Sequence, residues 1–166
     1  MIFTTKAEYG VRLLVELGRQ DGETPVSLKA IAEAEGLPLA YLERIVALLK
    51  KAELVESTRG AHGGYRLTRH PSEIRMDEAV IALEGAVAPM SCFVDDTDEG
   101  RVLCSHVADG GHGCATKLLW TRVQGGVTRA LQGTTLQELV EFGAPKPGGP
   151  PAPEPVGSAL PLHSAA

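Results

Sequence analysis

Residues 37–67 read LPLAYLERIVALLKKAELVESTRGAHGGYRL, from Leu37 to Leu67. Leu42, Ile45, Val46 and Leu49 recur at i, i+3, i+4 and i+7, the period of one apolar helix stripe. Pro38 suits the first turn of that helix. The stripe leaves Ala40, Tyr41, Glu43, Arg44, Lys50 and Lys51 facing outward, with the shortest side chain at the N-terminal end, so that end can enter a groove. Leu54 to Ser57 and Gly64 to Leu67 are short runs of strand character around Thr58-Arg59-Gly60-Ala61-His62-Gly63, with Arg59 at the tip of the hairpin. Alone, the pattern also describes an ordinary amphipathic helix and hairpin.

The preceding chain narrows the choice. Ala7, Val11 and Leu14 at i, i+4 and i+7, extended by Leu17, predict a first helix from about Thr5 to Arg19. Glu8 lies four residues before Arg12, the favoured order for a helix ion pair worth roughly 0.2 to 0.5 kcal/mol. After the turn Asp21-Gly22-Glu23-Thr24-Pro25, Ser27 is an N-cap for a helix through Glu35, with Leu28, Ile31 and Ala32 inward and Gly36 as its left-handed stop. Two helices joined by so tight a corner and followed by a hairpin predict a mainly α fold, a winged helix-turn-helix with a two-stranded wing.

The chain has 166 residues and a net charge of −5. One core is affordable at this length. Charge is unevenly placed: six basic residues face three acidic ones between Pro38 and His70, a local +3, whereas five acidic residues face Arg101 alone between Ala86 and Ala115, a local −4. The first stretch suits phosphates and the second a different kind of site. There is no run of eighteen apolar residues and no cleavable apolar leader, so a cytoplasmic protein with no membrane partner is expected. Three cysteines cannot close a disulfide framework, which leaves a metal site, a reactive thiol or buried inert thiols.

Beyond the wing, Met76, Val80 and Leu83 mark a short helix ended by Gly85. Residues 1–85 are thus a winged-helix unit, and 86–115 a loop without period that holds Cys92, Cys104 and Cys114. A long helix starts near Thr116, with Leu119, Val123 and Val127 on one side and Trp120 and Leu131 widening the stripe. So much apolar surface asks for a second copy, making this a dimerisation helix. Gly125-Gly126 interrupts it at about 1 kcal/mol per glycine relative to alanine. Thr135 and Glu138 form a capping box for a last helix, completing a unit at 116–143. Residues 144–166, rich in Pro, Gly and Ala, are expected to be a disordered tail.

These residues resemble the Rrf-type winged-helix transcriptional regulators, a family that includes iron–sulfur cluster regulators and nitric-oxide-sensing repressors. The resemblance runs from Met1 to about Phe142 and is carried by FTTKAEYGVRLL, GLPLAYLERIVALLKKAELV, STRGAHGGYRL, CATKLLW and TTLQELV. It implies that Arg59 enters the minor groove and that Tyr41 and Glu43 face bases in the major groove. Physics favours the same roles: an arginine at a hairpin tip matches the negative potential of a narrow minor groove, and a glutamate can accept from cytosine N4. Ser27, Ala40, Arg44, Lys50, Gly60, His62 and Gly63 complete the candidate DNA face.

The spacing C-x11-C-x9-C is wide, but thiolates can ligate a soft metal or an iron–sulfur cluster, and Cys114 precedes a helix N-terminus that favours thiolate. The resemblance implies that Cys92, Cys104 and Cys114 ligate a cluster, 2Fe-2S or 4Fe-4S. Some members complete the site with a histidine three residues after the last cysteine, where this chain has Lys117. Others use a carboxylate from the first helix of the partner subunit, and Glu8 matches that position. His106 and His112 are alternative ligands. The run Asp95 to Glu99 lacks the glycine and distal glutamate of a calcium loop. The resulting expectation is a homodimeric repressor, not an enzyme, that reads a near-palindromic operator with half-sites about 34 Å apart or a multiple of it and senses cluster status, redox state or nitric oxide. A cluster-free thiol or zinc regulator is the alternative. An electron carrier or redox enzyme is the distant one, since no acid-base pair, phosphate loop or nucleotide fingerprint is present.

Overall fold

Local signals set most helix ends in the computed structural model, which describes residues 3–20, 22–60, 63–85, 87 and 115–144. Asp21, Ala61, His62, the three cysteines with His106, His112 and the acidic run, and the tail 145–166 lie outside the described residues. Helix α1 (Thr5–Gly18) starts at Thr4, whose side-chain oxygen accepts from the Lys6 N–H. It buries Ala7, Gly10, Leu13, Leu14 and Leu17. Val11, expected in the stripe, is only half-buried, because Gly10 rather than Val11 faces the core. A Cβ on Gly10 would collide with the methyl groups of Leu83, so its absence lets two helices approach closely.

Helix α2 (Leu28–Glu35) is capped by Ser27, whose oxygen accepts from Ala30 N–H at 3.1 Å, and stops at Gly36 with φ of 62°. Helix α3 (Leu39–Lys51) buries Leu42, Ile45, Val46 and Leu49, the expected stripe. Its end is made by Glu53, a non-glycine residue at φ 58°, and by Leu54 N–H donating to Leu49 carbonyl at 3.0 Å. Leu54 therefore belongs to the helix stop, and strand β1 begins one residue later than expected (Val55–Thr58). It pairs antiparallel with β2 (Gly64–Leu67), Val55 opposite Leu67 and Thr58 opposite Gly64. Val26 adds an unforeseen bridge on the other edge of β2, exchanging hydrogen bonds with Tyr65 at 2.8 and 2.9 Å. A Cβ on Gly64 would strike the Val26 backbone.

A 3-10 turn (Pro71–Glu73) leads to α4 (Met76–Glu84), then come α5 (Ala115–Gln132) and α6 (Leu136–Phe142). Thr135 caps α6 by accepting from Glu138 N–H at 3.3 Å. The α5–α6 junction is pinned beside α4: Met76 N–H donates to Thr134 carbonyl and Leu136 N–H to Ile74 carbonyl, both at 2.9 Å. Although α6 follows α5 in the chain, its Leu136 is fully buried in one cluster with Leu13, Leu14, Ile31, Leu42, Ile45, Leu49, Ile74 and Leu83. Each such side chain contributes roughly 1.5 to 3 kcal/mol. Asp77, 5% exposed at the start of α4, is the buried charge among the described residues. Arg75 Nε lies 3.2 Å from it, and the helix N-terminus also favours a carboxylate there.

Helix α5 differs. None of its described side chains is buried, and Leu118 and Leu119 are 61% and 56% exposed. Gly125-Gly126 does not interrupt it, since the helix runs unbroken from Ala115 to Gln132. Among the described residues no helix is long and apolar enough to cross a membrane.

Candidate nucleic-acid interface

Burying Leu42, Ile45, Val46 and Leu49 turns the opposite face of α3 outward, where Ala40, Glu43, Arg44, Lys50 and Lys51 are exposed. Glu43, Arg44 and Lys51 have no hydrogen bond or ion pair among the described residues. Lys50 is engaged: its Nζ donates to Ser57 Oγ at 2.7 Å, tying the last turn of α3 to β1. On the wing, Arg66 pairs across the strands with Glu56, and Arg69 at its base binds Glu78 at 2.7 Å. Arg59 at the tip is exposed and, among the described residues, has no partner. Its turn is tight. Gly60 sits at φ 122°, Gly63 N–H donates to its carbonyl at 3.0 Å, and a Cβ on Gly63 would meet the Thr58 carbonyl. On α3 and the wing, the cations among the described residues left available to a polyanion are thus Arg44, Lys51 and Arg59. Ser27 is exposed, with its oxygen engaged as the α2 cap, and His62 is outside the described residues.

Two expected placements change. Tyr41 is not a free outward side chain: it is half-buried, and its ring meets that of Tyr9 edge to face, centroids 5.6 Å apart at 84°. Glu8 does not pair with Arg12. Arg12 turns instead to the C-terminus of α2, donating through Nε to Glu35 Oε2 at 2.8 Å and through its terminal nitrogen to the Glu35 carbonyl. A carboxylate and an uncapped helix carbonyl together attract a guanidinium more strongly than one exposed carboxylate does. Arg19 adds a second cation 3.6 Å from Glu35 Oε1. Helix α1 therefore grips the helix-turn-helix twice, at the corner through Arg12 and at the start of α3 through Tyr9. Neither contact has a sequence signal, because each joins residues more than twenty positions apart.

Glu8 is exposed and, among the described residues, unpartnered. It lines a mainly apolar groove of about 470 Å³ with Phe3, Ala7, Val11, Val80 and Leu131 of α5, together with Thr4, Thr5 and Arg12. The same N-terminal end of α1 is fastened by Glu84, whose Oε1 accepts from the Thr4 N–H at 3.0 Å, the Thr4 hydroxyl and the Ala7 N–H at 3.2 Å. Burial alone would raise the Glu84 pKa, but these hydrogen bonds and the Lys6 ammonium outweigh it and hold the carboxyl below its ordinary 4.5. Gly85, at φ 85°, then turns the chain toward the cysteine segment, and Gln124 Nε2 of α5 donates to Val87 carbonyl at 3.0 Å. Lys117 is exposed on the first turn of α5. Among the described residues no group of three or more His, Cys, Asp or Glu is placed to hold a metal ion.

A helix-turn-helix with a wing and an exposed, unengaged set of cations defines a winged-helix DNA-binding protein. The family model described as "Rrf2: Iron-dependent Transcriptional regulator" matches residues 3–142, and the chain belongs to this family. It is 36% identical over 140 residues to Protein rrf2 of Nitratidesulfovibrio vulgaris, covering 84% of this chain and 87% of that one. Its fold is similar to that of CymR, the global cysteine regulator of Bacillus subtilis, with a TM-score of 0.68 and 34% identity over 86% of this chain and 98% of that one. The T. potens IscR structure is similar to the same degree, TM-score 0.68 and 34% identity, over 86% and 88% of the two chains. The protein is accordingly a transcriptional regulator and not an enzyme.

Proposed function

We propose that this regulator is a homodimeric repressor that reads a near-palindromic operator through Tyr41, Glu43 and Arg59, and that its cysteine segment reports cluster, redox or nitric-oxide status to that face. An iron–sulfur cluster would be held by Cys92, Cys104 and Cys114, with Glu8 of the partner subunit as fourth ligand. The observation that carries the reading is Glu8: a carboxylate without its expected ion pair, in a mainly apolar groove beside α5, whose Leu118 and Leu119 are exposed among the described residues. The donor chemistry suits such a group, three thiolates and one uncommitted carboxylate, whereas the Lys117 ammonium is no ligand. When bound, the cluster supplies the centre that reacts with oxidants or nitric oxide. The chain's own residues do the rest. Glu8 would hold one subunit to the other, and α1 would carry any shift of Glu8 to the corner through Arg12 and to α3 through Tyr9.

Anaerobic purification followed by iron and sulfide analysis, with visible absorption before and after nitric oxide or oxygen, tests this. Coloured protein whose spectrum changes in Glu8→Ala is the expected result, and colourless protein lacking both iron and sulfide ends the cluster half of the reading. Similarity to CymR, the global cysteine regulator of Bacillus subtilis, favours a second reading, in which Cys114 senses oxidants directly or the segment binds zinc. A zinc stoichiometry near one, or an intact DNA response after joint replacement of Cys92 and Cys104, would select it.

A further inference from the structure

We propose that Tyr9 of α1 is a positioning residue for operator readout, setting the ring of Tyr41 before DNA arrives. The proposal rests on the reading above that Tyr41 faces bases. Tyr41 is the third residue of α3, between exposed Ala40 and exposed Arg44. An aromatic side chain on such a surface would sample several rotamers and lose that freedom on binding. Here the ring is held edge to face by Tyr9 at 5.6 Å and 84°, a geometry in the favoured range for aromatic pairs. Tyr9 stands on a well-fixed base: its neighbour Gly10 packs directly against Leu83, Leu13 is fully buried, and Arg12 is tied to Glu35.

Neither phenol hydroxyl has a hydrogen-bond partner among the described residues. The pairing is therefore carried by ring carbons, and the Tyr41 hydroxyl remains uncommitted. In front of the pair lies a depression lined by Thr5, Pro38, Ala40 and Arg44 as well as the two rings. This gives the two tyrosines different requirements. Position 9 needs a ring and no hydroxyl, while position 41 needs both.

The test uses the full-length protein and the duplex recovered by the wild type from a genomic-fragment selection, with a scrambled duplex of equal length, at several salt concentrations. Tyr9→Leu is expected to lower the ratio of specific to non-specific affinity by about 3- to 10-fold, with non-specific affinity and its salt slope unchanged. Tyr9→Phe is expected to match the wild type. Tyr41→Phe is expected to lose preference at one base position, and Tyr9→Leu to have no further effect on the ratio in a Tyr41→Ala background. An unchanged ratio in Tyr9→Leu overturns the proposal. So does a parallel loss of specific and non-specific binding with a lower urea midpoint, which marks Tyr9 as a packing residue only. A wild type that prefers no duplex defeats the operator reading itself, and this proposal with it.

Discussion

The winged-helix body and α5 are built from similar fractions of apolar residues and to opposite effect. In the body, leucines and isoleucines from α1, α2, α3, α4 and α6 close on one another, and ten large side chains other than Val55 fall below 2% exposure. In α5, among the described residues, Leu118 and Leu119 are exposed, Trp120, Val123 and Val127 are only half-buried, and nothing lies within 4 Å of a Cβ built on Gly126. The body is thus closed on its own core, whereas the exposed leucines of α5 are what the proposed dimer would cover. Amphipathic period alone does not separate the two cases, since both helices carry a stripe.

Substitutions on each side of that divide sharpen it. Leu49→Ala, at the centre of the body, is expected to cost about 3 to 5 kcal/mol in urea unfolding; a loss under 1 kcal/mol would show that the body's core is not where stability lies. Leu118→Glu with Leu119→Glu is expected to weaken self-association about a hundredfold or more and to leave the unfolding of the monomeric body within about 0.5 kcal/mol of the wild type. Sedimentation across a concentration series checks the first, and an unaltered mass would break the comparison.

Glu84 sits at the border, tying the end of α4 to the start of α1. Glu84→Ala removes the acceptor of three donors and is expected to cost about 1 to 3 kcal/mol near neutral pH. Because the native pKa lies below 4.5, the native state binds fewer protons than the unfolded chain in the acid range. The contribution of Glu84 is fully present above its ordinary value and is lost as pH falls through the native one. The gap between wild type and variant in urea midpoints is therefore expected to narrow on acidification; a gap that widens contradicts the assigned hydrogen bonds. The smallest effect belongs to Glu53, held at φ 58°. Glu53→Gly relieves left-handed strain and is expected to stabilise by about 1 kcal/mol or less, read as a higher urea midpoint.

Much of the fold was legible because its signals are local. The Ser27 and Thr135 caps, the Gly36 stop and the α3 stripe each involve residues within a few positions of one another, and the backbone obeys them. The first strand shifted by one because the Leu54 N–H is taken by Leu49 behind it, although the Leu54 carbonyl still accepts from the Thr68 N–H across the hairpin at 3.2 Å. What was not legible is pairing at long range. Arg12 had two candidate carboxylates and took the one with a helix carbonyl beside it. Tyr41 looked exposed because its partner is 32 positions upstream. Val26 is a single strand-like residue between Pro25 and Ser27, too short to register as a bridge to β2. For the DNA face, residue identity suggested the candidates, and the structure divides them into engaged (Lys50, and Ser27 as a cap) and unengaged (Glu43, Arg44, Arg59).

The packing of Leu136 into the body has a further consequence for how the chain is made. A ribosome delivers α1 through the wing first, but the N–H groups of Thr4 and Ala7 wait for residue 84, and the core waits for residue 136. The cysteine-bearing segment therefore leaves the ribosome before the core can close. Any group its thiolates take up meets a nascent chain whose N-terminal helix is still uncapped at Glu84 or only newly fastened there.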